Sequence, residues 1–248
     1  MSAPAPSAIP NDPPPPLSRG DALFLDFDGT LVDIAPTPDA VMVPPGLSEL
    51  LRAIAQKLEG RLALVSGRPV HELRGMFGLD GLAIAGSHGL ETAMADGPVM
   101  AMERPQGLDH SLSAARALAG AQQDLLIEDK PLGVGIHYRA RPDLEQQCRD
   151  LAERLADLHG LAVQHGKMVS ELRPHGQDKG SAIARFMTSH VFAGSRPVFA
   201  GDDLTDEHGF AAAAEHCGAG ILVGPPRPSI ARFRLDNVAA LHKWLAEF

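Results

Sequence analysis

The chain has 248 residues, 44% of them hydrophobic and 21% charged, and a formal net charge of -9. That composition suits a soluble globular protein and excludes disorder or a fibre for most of the chain. The acidic balance, with no clustered run of Lys and Arg, argues against a nucleic-acid partner. Cys148 and Cys217 are the only two cysteines and form no C-x-x-C pair, so neither a disulfide framework nor a zinc knuckle is expected. No apolar run approaches the ~20 residues that span a bilayer, and the basic start and apolar stretch of a signal peptide are missing, so we expect no membrane partner and a cytoplasmic location.

In chain order, residues 1–16, "MSAPAPSAIPNDPPPP", are proline-rich and poor in large apolar side chains, and are expected as a disordered tail. From Leu17 short apolar runs alternate with helical patterns. "ALFL" (22–25) is followed by Leu47, Leu50, Leu51, Ile54 and Leu58 at helical spacing, and then by "RLALV" (61–65) and "LAIAG" (82–86). This alternation predicts βαβ units and a parallel sheet. The rhythm loosens over 92–107, where Met94, Met100 and Met102 are expected as flexible apolar packing. It then changes character: a helix over 109–121, a strand pair over 124–139, a helix with Leu144, Cys148, Leu151, Leu155 and Leu158 on one face, and a hairpin over 161–174 turning at His165, Gly166 and Lys167. The βα alternation resumes with a helix from Asp178, a strand over 197–200, a helix from Thr205 and a strand over 220–223. The expected fold is α/β, a Rossmann-like parallel-sheet core over 17–104 and 174–248 interrupted by an α+β cap over 105–173. Gly97, Gly107, Pro174 and Gly176 at the two connections suit a hinge.

Open parallel sheets bind ligands beyond the carboxyl ends of their strands. The polar residues expected there are Asp26, Asp28 and Thr30 after the first strand, Ser66 and Arg68 after the second, and Asp202 and Asp203 after the strand from Pro197; Lys179 opens a helix nearby. Several carboxylates with a lysine and a hydroxyl suit Mg²⁺ and a phosphate, since Mg²⁺ takes oxygen ligands and shares its shell with phosphate oxygens. Each part also has a plain alternative: a strand-end cap for the DxD, a turn for Ser66-Gly67, a solvated side chain for Lys179, and an N-cap for Asp202-Asp203.

"DFDGTL" (26–31), "VSGR" (65–68), "DKG" (178–180) and "GDDLTDE" (201–207), in that order, resemble the four motifs of haloacid dehalogenase superfamily phosphatases. "GSHGLE" (86–91), "IHYR" (136–139) and "ELRPHGQDKG" (171–180) resemble, more narrowly, trehalose-6-phosphate phosphatases. The resemblance implies an enzyme of trehalose biosynthesis that releases phosphate from trehalose 6-phosphate, with Asp26 as nucleophile, Asp28 as general acid and base, and Ser66 and Lys179 on the phosphoryl group. It implies Mg²⁺ held by Asp26, the backbone carbonyl of Asp28 and Asp202, with Asp203 and Asp206 orienting ligands and waters and Thr30 steadying Asp28. Sugar recognition would fall to Glu128, Lys130 and Glu171 in the cap and to Arg68, His88 and Glu91 nearer the core, while His137 reads as a structural hydrogen-bonding residue. Phosphatases of other sugar phosphates, of the sucrose-phosphate or mannosyl-phosphoglycerate type, share such a core and cap. A non-catalytic phosphosugar sensor would lack the nucleophile, the acid or the lysine. The partner is a small molecule, and a monomer is the default.

Overall fold

The computed structural model describes residues 9–37, 40–77, 81–95 and 97–248. The chain divides into two compact units: one runs to Ala101 and resumes at Gln177–Phe248, and the other is Met102–Gly176. The first unit begins with β1 (Asp21–Leu25), α1 (Leu47–Lys57), β2 (Leu62–Val65), α2 (Val70–Phe77), β3 (Ala83–Gly86), β4 (Glu91–Ala93) and β5 (Met100–Ala101). The second unit contributes α3 (Gln106–Ala121), β6 (Leu126–Lys130), β7 (Gly133–His137), α4 (Glu145–His159), β8 (Ala162–Gly166) and β9 (Val169–Arg173). The first unit resumes with α5 (Lys179–Met187), β10 (Arg196–Gly201), α6 (Glu207–Glu215), β11 (Ala219–Val223), β12 (Phe233–Leu235) and α7 (Val238–Ala246).

The sheet of the first unit has the order β12-β11-β10-β1-β2-β3-β4-β5. It is parallel from β12 to β3 and antiparallel at β4 and β5. Side chains of a strand alternate between faces, and both faces of β1 are buried, which explains the unbroken apolar run Ala22–Leu25. Leu23 and Leu25 join one cluster with Leu51 and Ile54 of α1, Leu73 of α2 and Leu241 of α7. Ala22 and Phe24 join the other with Ile183 and Phe186 of α5 and Phe210 of α6. On that side the rings of Phe24, Phe186 and Phe192 pack with centroids 5.3–6.0 Å apart.

The second unit is a four-stranded antiparallel sheet, order β6-β7-β9-β8, with α3 and α4 over one face. Val134 and Ile136 of β7 enter the core with Leu108 and Leu112 of α3 and Cys148 and Leu155 of α4. Gly133, Gly135 and His137 alternate with them and lie on the opposite face.

Some expectations change. Residues 1–8 of the proline-rich segment lie outside the described residues, and from Pro10 the segment is held rather than loose: Trp244 Nε1 donates to Pro15 O at 3.0 Å, Arg234 N donates to Asp12 O at 2.9 Å, and Pro10, Pro14 and Leu17 are buried. Prolines cost little further entropy on ordering, and their carbonyls remain free to accept. The β8–β9 hairpin turns at Lys167 and Met168, not at His165 and Gly166, which pair with Ser170 and Val169; Met168 takes the left-handed φ of 66°. Met100 and Met102 are exposed at 67% and 44%, so they do not pack beneath a hinge. β4, β5 and β12 are too short to announce themselves by period. Among the described residues no helix is long and apolar enough to cross a membrane.

Phe24 is fully buried within an aromatic trio, so Phe24→Ala should destabilise the first unit by about 3–5 kcal/mol through lost transfer energy and an unfilled cavity. Urea unfolding followed by circular dichroism measures this.

Candidate active site

β1 ends at Leu25, and Asp26 continues its register by donating its N–H to Ala200 O of β10 at 2.9 Å. Its carboxylate therefore leaves the carboxyl edge of the sheet from a backbone fixed on the neighbouring strand. The chain then turns sharply, because the N–H groups of Leu31 and Val32 return to Phe27 O. Gly29 sits at the bend with φ 85°, and a Cβ there would fall 2.2 Å from Asp202 Oδ2. Only glycine allows this turn and the close approach of Asp202 together.

Lys179 is the first residue of α5. Asp178 caps that helix, accepting from Ser181 N at 2.7 Å while the Ser181 hydroxyl accepts from Asp178 N at 2.9 Å. A lysine in a first turn opposes the helix dipole, typically by about 0.3–1 kcal/mol. It is held by stronger contacts: Nζ lies 2.7 Å from Asp26 Oδ1 and 2.6 Å from Asp206 Oδ1, with all three side chains buried. Asp206 uses its other oxygen to accept from Asp202 N at 3.0 Å and Asp203 N at 2.9 Å. The Thr30 hydroxyl lies 3.2 Å from Asp26 Oδ2 and 3.3 Å from Asp202 Oδ1, and its single proton serves one of them at a time.

Oxygens of Asp26, Asp202 and Asp206 lie within 4.8 Å of one another. Burial pushes the Asp26 carboxyl well above the ordinary range; Lys179 pulls it back, and Asp206 and Asp202 add to the rise. Asp202 is pushed up to about 6, first by burial and then by Asp206, against the pull of Lys179. Burial pulls the Lys179 ammonium down, but Asp206 and Asp26 outweigh it and hold the lysine above its ordinary value. Three carboxylates around one ammonium leave an excess of negative charge in a largely buried place. An all-oxygen donor set with that excess fits a hard divalent cation.

The remaining expected residues fall into distinct places. Ser66 is buried at the end of β2, its hydroxyl accepting from Arg68 N at 3.1 Å. Arg68 grips the Asp28 carboxylate with two parallel bonds, Nε to Oδ2 at 2.7 Å and Nη2 to Oδ1 at 2.9 Å, and its guanidinium lies over the Phe27 ring. The Asp28 carboxylate is thus outside the acidic triad, and Asp206, expected as an outer residue, is inside it. Asp203 is exposed and caps the following turn through Leu204 N at 2.6 Å. Glu91 Oε2 accepts from Val70 N at 3.1 Å and from the Ser87 hydroxyl at 2.8 Å, anchoring the start of α2. His88 takes a left-handed φ of 55°, and its ring covers Gly67, where a Cβ would meet it at 2.7 Å. The Asp206–Lys179 contact is what sequence reasoning missed, because no local spacing pairs residues 27 apart.

The second unit gathers Glu128, Lys130 and Glu171 by itself. Cross-strand register sets Glu128 and Glu171 on either side of Gly135. Lys130 Nζ lies 2.7 Å from Glu171 Oε2 and 3.7 Å from Glu128 Oε2, and His137 Nε2 lies 2.8 Å from Glu128 Oε2. A Cβ at Gly133 would lie 3.1 Å from Glu171 Oε1, and one at Gly135 would lie 3.0 Å from the His137 ring, so bare backbone is what lets these charges close over β7. Burial raises the Glu128 carboxyl, but the His137 hydrogen bond and Lys130 outweigh it and leave it below the usual range.

The family model described as trehalose-phosphatase matches residues 24–239. The chain belongs to the trehalose-phosphatase family. It is 41% identical over 210 residues to a probable trehalose-phosphate phosphatase of Sinorhizobium fredii, covering 84% of this chain and 79% of that one. It is 37% identical over 233 residues to the trehalose-6-phosphate phosphatase of Escherichia coli K12, covering 93% and 87%. Among solved structures, a trehalose-6-phosphate phosphatase related protein superposes with a TM-score of 0.77 at 27% identity, covering 91% of this chain and 95% of that one. The C-terminal domain of the Candida albicans trehalose-6-phosphate phosphatase superposes with a TM-score of 0.81 over 94% and 97% of the two chains; at 22% identity this speaks to fold alone. Structural neighbours extend to haloalkanoate-superfamily phosphatases, in keeping with the α/β core.

In metal-free protein the folded pKa of Asp202, about 6, stands above the ordinary aspartate value of 3.8. Between those values the folded state holds a proton that the unfolded state has lost, so stability falls as pH rises through the window. Asp202→Asn removes this titration. Relative to that variant, the wild type in a chelator should lose stability from about pH 4 to 6, read as the difference between urea midpoints.

Proposed function

We propose that the chain is a phosphoric monoester hydrolase that converts trehalose 6-phosphate to trehalose and phosphate, in the cytoplasm, through an aspartyl-phosphate on Asp26. Kinship with trehalose-phosphate phosphatases supports the substrate. The observation that carries the chemistry is the buried Asp26 carboxylate at the end of β1, 2.7 Å from the Lys179 ammonium and beside Asp202 and Asp206.

Asp26 attacks phosphorus, and the bond from phosphorus to the sugar's 6-oxygen breaks, with Asp28 delivering a proton to that oxygen. Water then attacks the aspartyl-phosphate, Asp28 takes its proton, and the bond to Asp26 breaks to release inorganic phosphate. Both Asp28 oxygens are occupied by Arg68, so the proton transfers require that pair to open. Lys179 offsets charge on the phosphoryl oxygens, and the Ser66 hydroxyl, which accepts from Arg68 N, keeps its own proton to donate to them. We read the cation as Mg²⁺, with the Asp26 and Asp202 carboxylates and the Asp28 backbone carbonyl to hold it, and with Asp203 and Asp206, whose oxygens already serve Lys179 and backbone N–H groups, among its outer neighbours. When bound, it would neutralise the repulsion between carboxylate and phosphate dianion. Glu128, Lys130 and Glu171 are proposed as the sugar-gripping groups, since hydroxyls need fixed donors and acceptors. His88 is a separate candidate for sugar contact within the first unit. Arg68 and Glu91 begin from other work, on Asp28 and on the start of α2.

Asp26→Asn should lower phosphate release by about a thousandfold or more and abolish labelling of the chain by substrate phosphate. Asp28→Asn should cost about 10²–10⁴ in kcat while leaving the labelled intermediate detectable. Released phosphate measured over a panel of sugar phosphates should favour trehalose 6-phosphate; stronger turnover of another ester overturns the substrate, and activity surviving in Asp26→Asn overturns the covalent route.

A further inference from the structure

The residues of the proposed chemistry leave the partly buried Arg227–Glu207 ion pair unused. Glu207, the first residue of α6, is 6% exposed, and its carboxylate is fully engaged by the loop that follows β11. Oε1 accepts from Arg227 Nη1 and from the Ser229 hydroxyl, the latter at 2.8 Å, and Oε2 accepts from Ile230 N at 2.9 Å. Arg227 sits among Pro225, Pro226 and Pro228, whose fixed φ angles stiffen the loop. From there its Nη2 donates to Asp203 O at 2.8 Å and reaches Asp202 O at 3.4 Å.

These contacts complete a pattern begun by Asp206. The N–H groups of Asp202 and Asp203 are taken by Asp206 Oδ2 at 3.0 and 2.9 Å, while their carbonyls are taken by Arg227. The backbone that projects the Asp202 carboxylate is therefore pinned on both its donor and its acceptor sides, by side chains from two different elements. Arg227 also brings a positive charge to a loop carrying Asp202, Asp203 and Asp206, while Glu207 fixes its direction.

We propose that Arg227, aimed by Glu207, is a positioning residue for the cation site: it holds the Asp202–Asp203 carbonyls so that the Asp202 carboxylate stays in the register of Asp26 and Asp206. It touches neither substrate nor the reacting atoms. Groups that orient ligand-bearing backbone typically contribute about 10–100-fold to metal affinity. This inference rests on reading the acidic triad as a Mg²⁺ site.

The test is calorimetric titration of Mg²⁺ into the full-length wild type, Arg227→Ala, Arg227→Lys and Glu207→Gln, together with kcat measured against Mg²⁺ concentration. Arg227→Ala should weaken Mg²⁺ binding about tenfold, with kcat recovering towards wild type at saturating Mg²⁺. Glu207→Gln should weaken it less, and Arg227→Lys, which keeps the charge and a donor but loses the planar fork, should recover part of the affinity. Affinities within twofold of wild type in folded Arg227→Ala, whatever its thermal stability, overturn the proposal. Should Arg227→Ala fail to fold, the decision passes to Arg227→Lys and Glu207→Gln: wild-type affinity in both overturns it, and weakened affinity in both upholds it. A wild type that binds no Mg²⁺ overturns the reading of the triad itself, a different failure from unchanged affinity in the variants.

Discussion

The site depends on one buried ammonium. Lys179 reaches the end of β1 through Asp26 and the turn after β10 through Asp206, joining segments 153 and 27 residues away. Desolvating a charge costs several kcal/mol unless it is paired and hydrogen-bonded. Here the lysine contacts two of three neighbouring carboxylates, and its single positive charge leaves the cluster net negative. A fully neutralised cluster would have little use for a cation, and an uncompensated one could not stay buried. The number of charges is thus a compromise between folding the site and leaving it receptive.

The same economy of position runs through the second unit, by another device. β7 reads G-V-G-I-H, and the period of two divides it cleanly: Val134 and Ile136 supply core, while Gly133 and Gly135 supply space. Because nothing projects from the middle of that face, Glu128, Lys130, His137 and Glu171 meet across it from three strands. Glycine in a strand usually weakens it. Here the space it leaves is filled by a network of ion pairs and hydrogen bonds among those four side chains.

Much of this was legible from the residues. The buried strand of "ALFL", the βα alternation and the convergence of Asp26, Ser66, Lys179 and Asp202 on one sheet edge follow from local period and the parallel topology. What stayed hidden was pairing between side chains remote in sequence. Nothing local says that Arg68 will turn to Asp28, 40 residues away, rather than wait for a ligand, or that Glu91 will spend its carboxylate on the start of α2. The proline-rich segment misled for a related reason: composition reports what a segment cannot bury, not which carbonyls Trp244 and Arg234 will find.

The way each acid is held also separates their tasks. Asp26 continues a strand, and Asp202 projects from a peptide pinned on its N–H side by Asp206, so neither can shift without breaking backbone hydrogen bonds. Asp28 differs: its carboxylate is held only through the Arg68 side chain, and it is more than a third exposed. That pair is bidentate and rests on a buried guanidinium, yet it is a contact between side chains alone and opens by rotation without breaking a backbone hydrogen bond. A nucleophile gains from being immobile, since misplacement costs attack geometry. A proton shuttle must meet a leaving oxygen and then a water at different moments. In the proposed mechanism, then, the nucleophile is fixed through the backbone and the proton shuttle is left to a side chain that can let go.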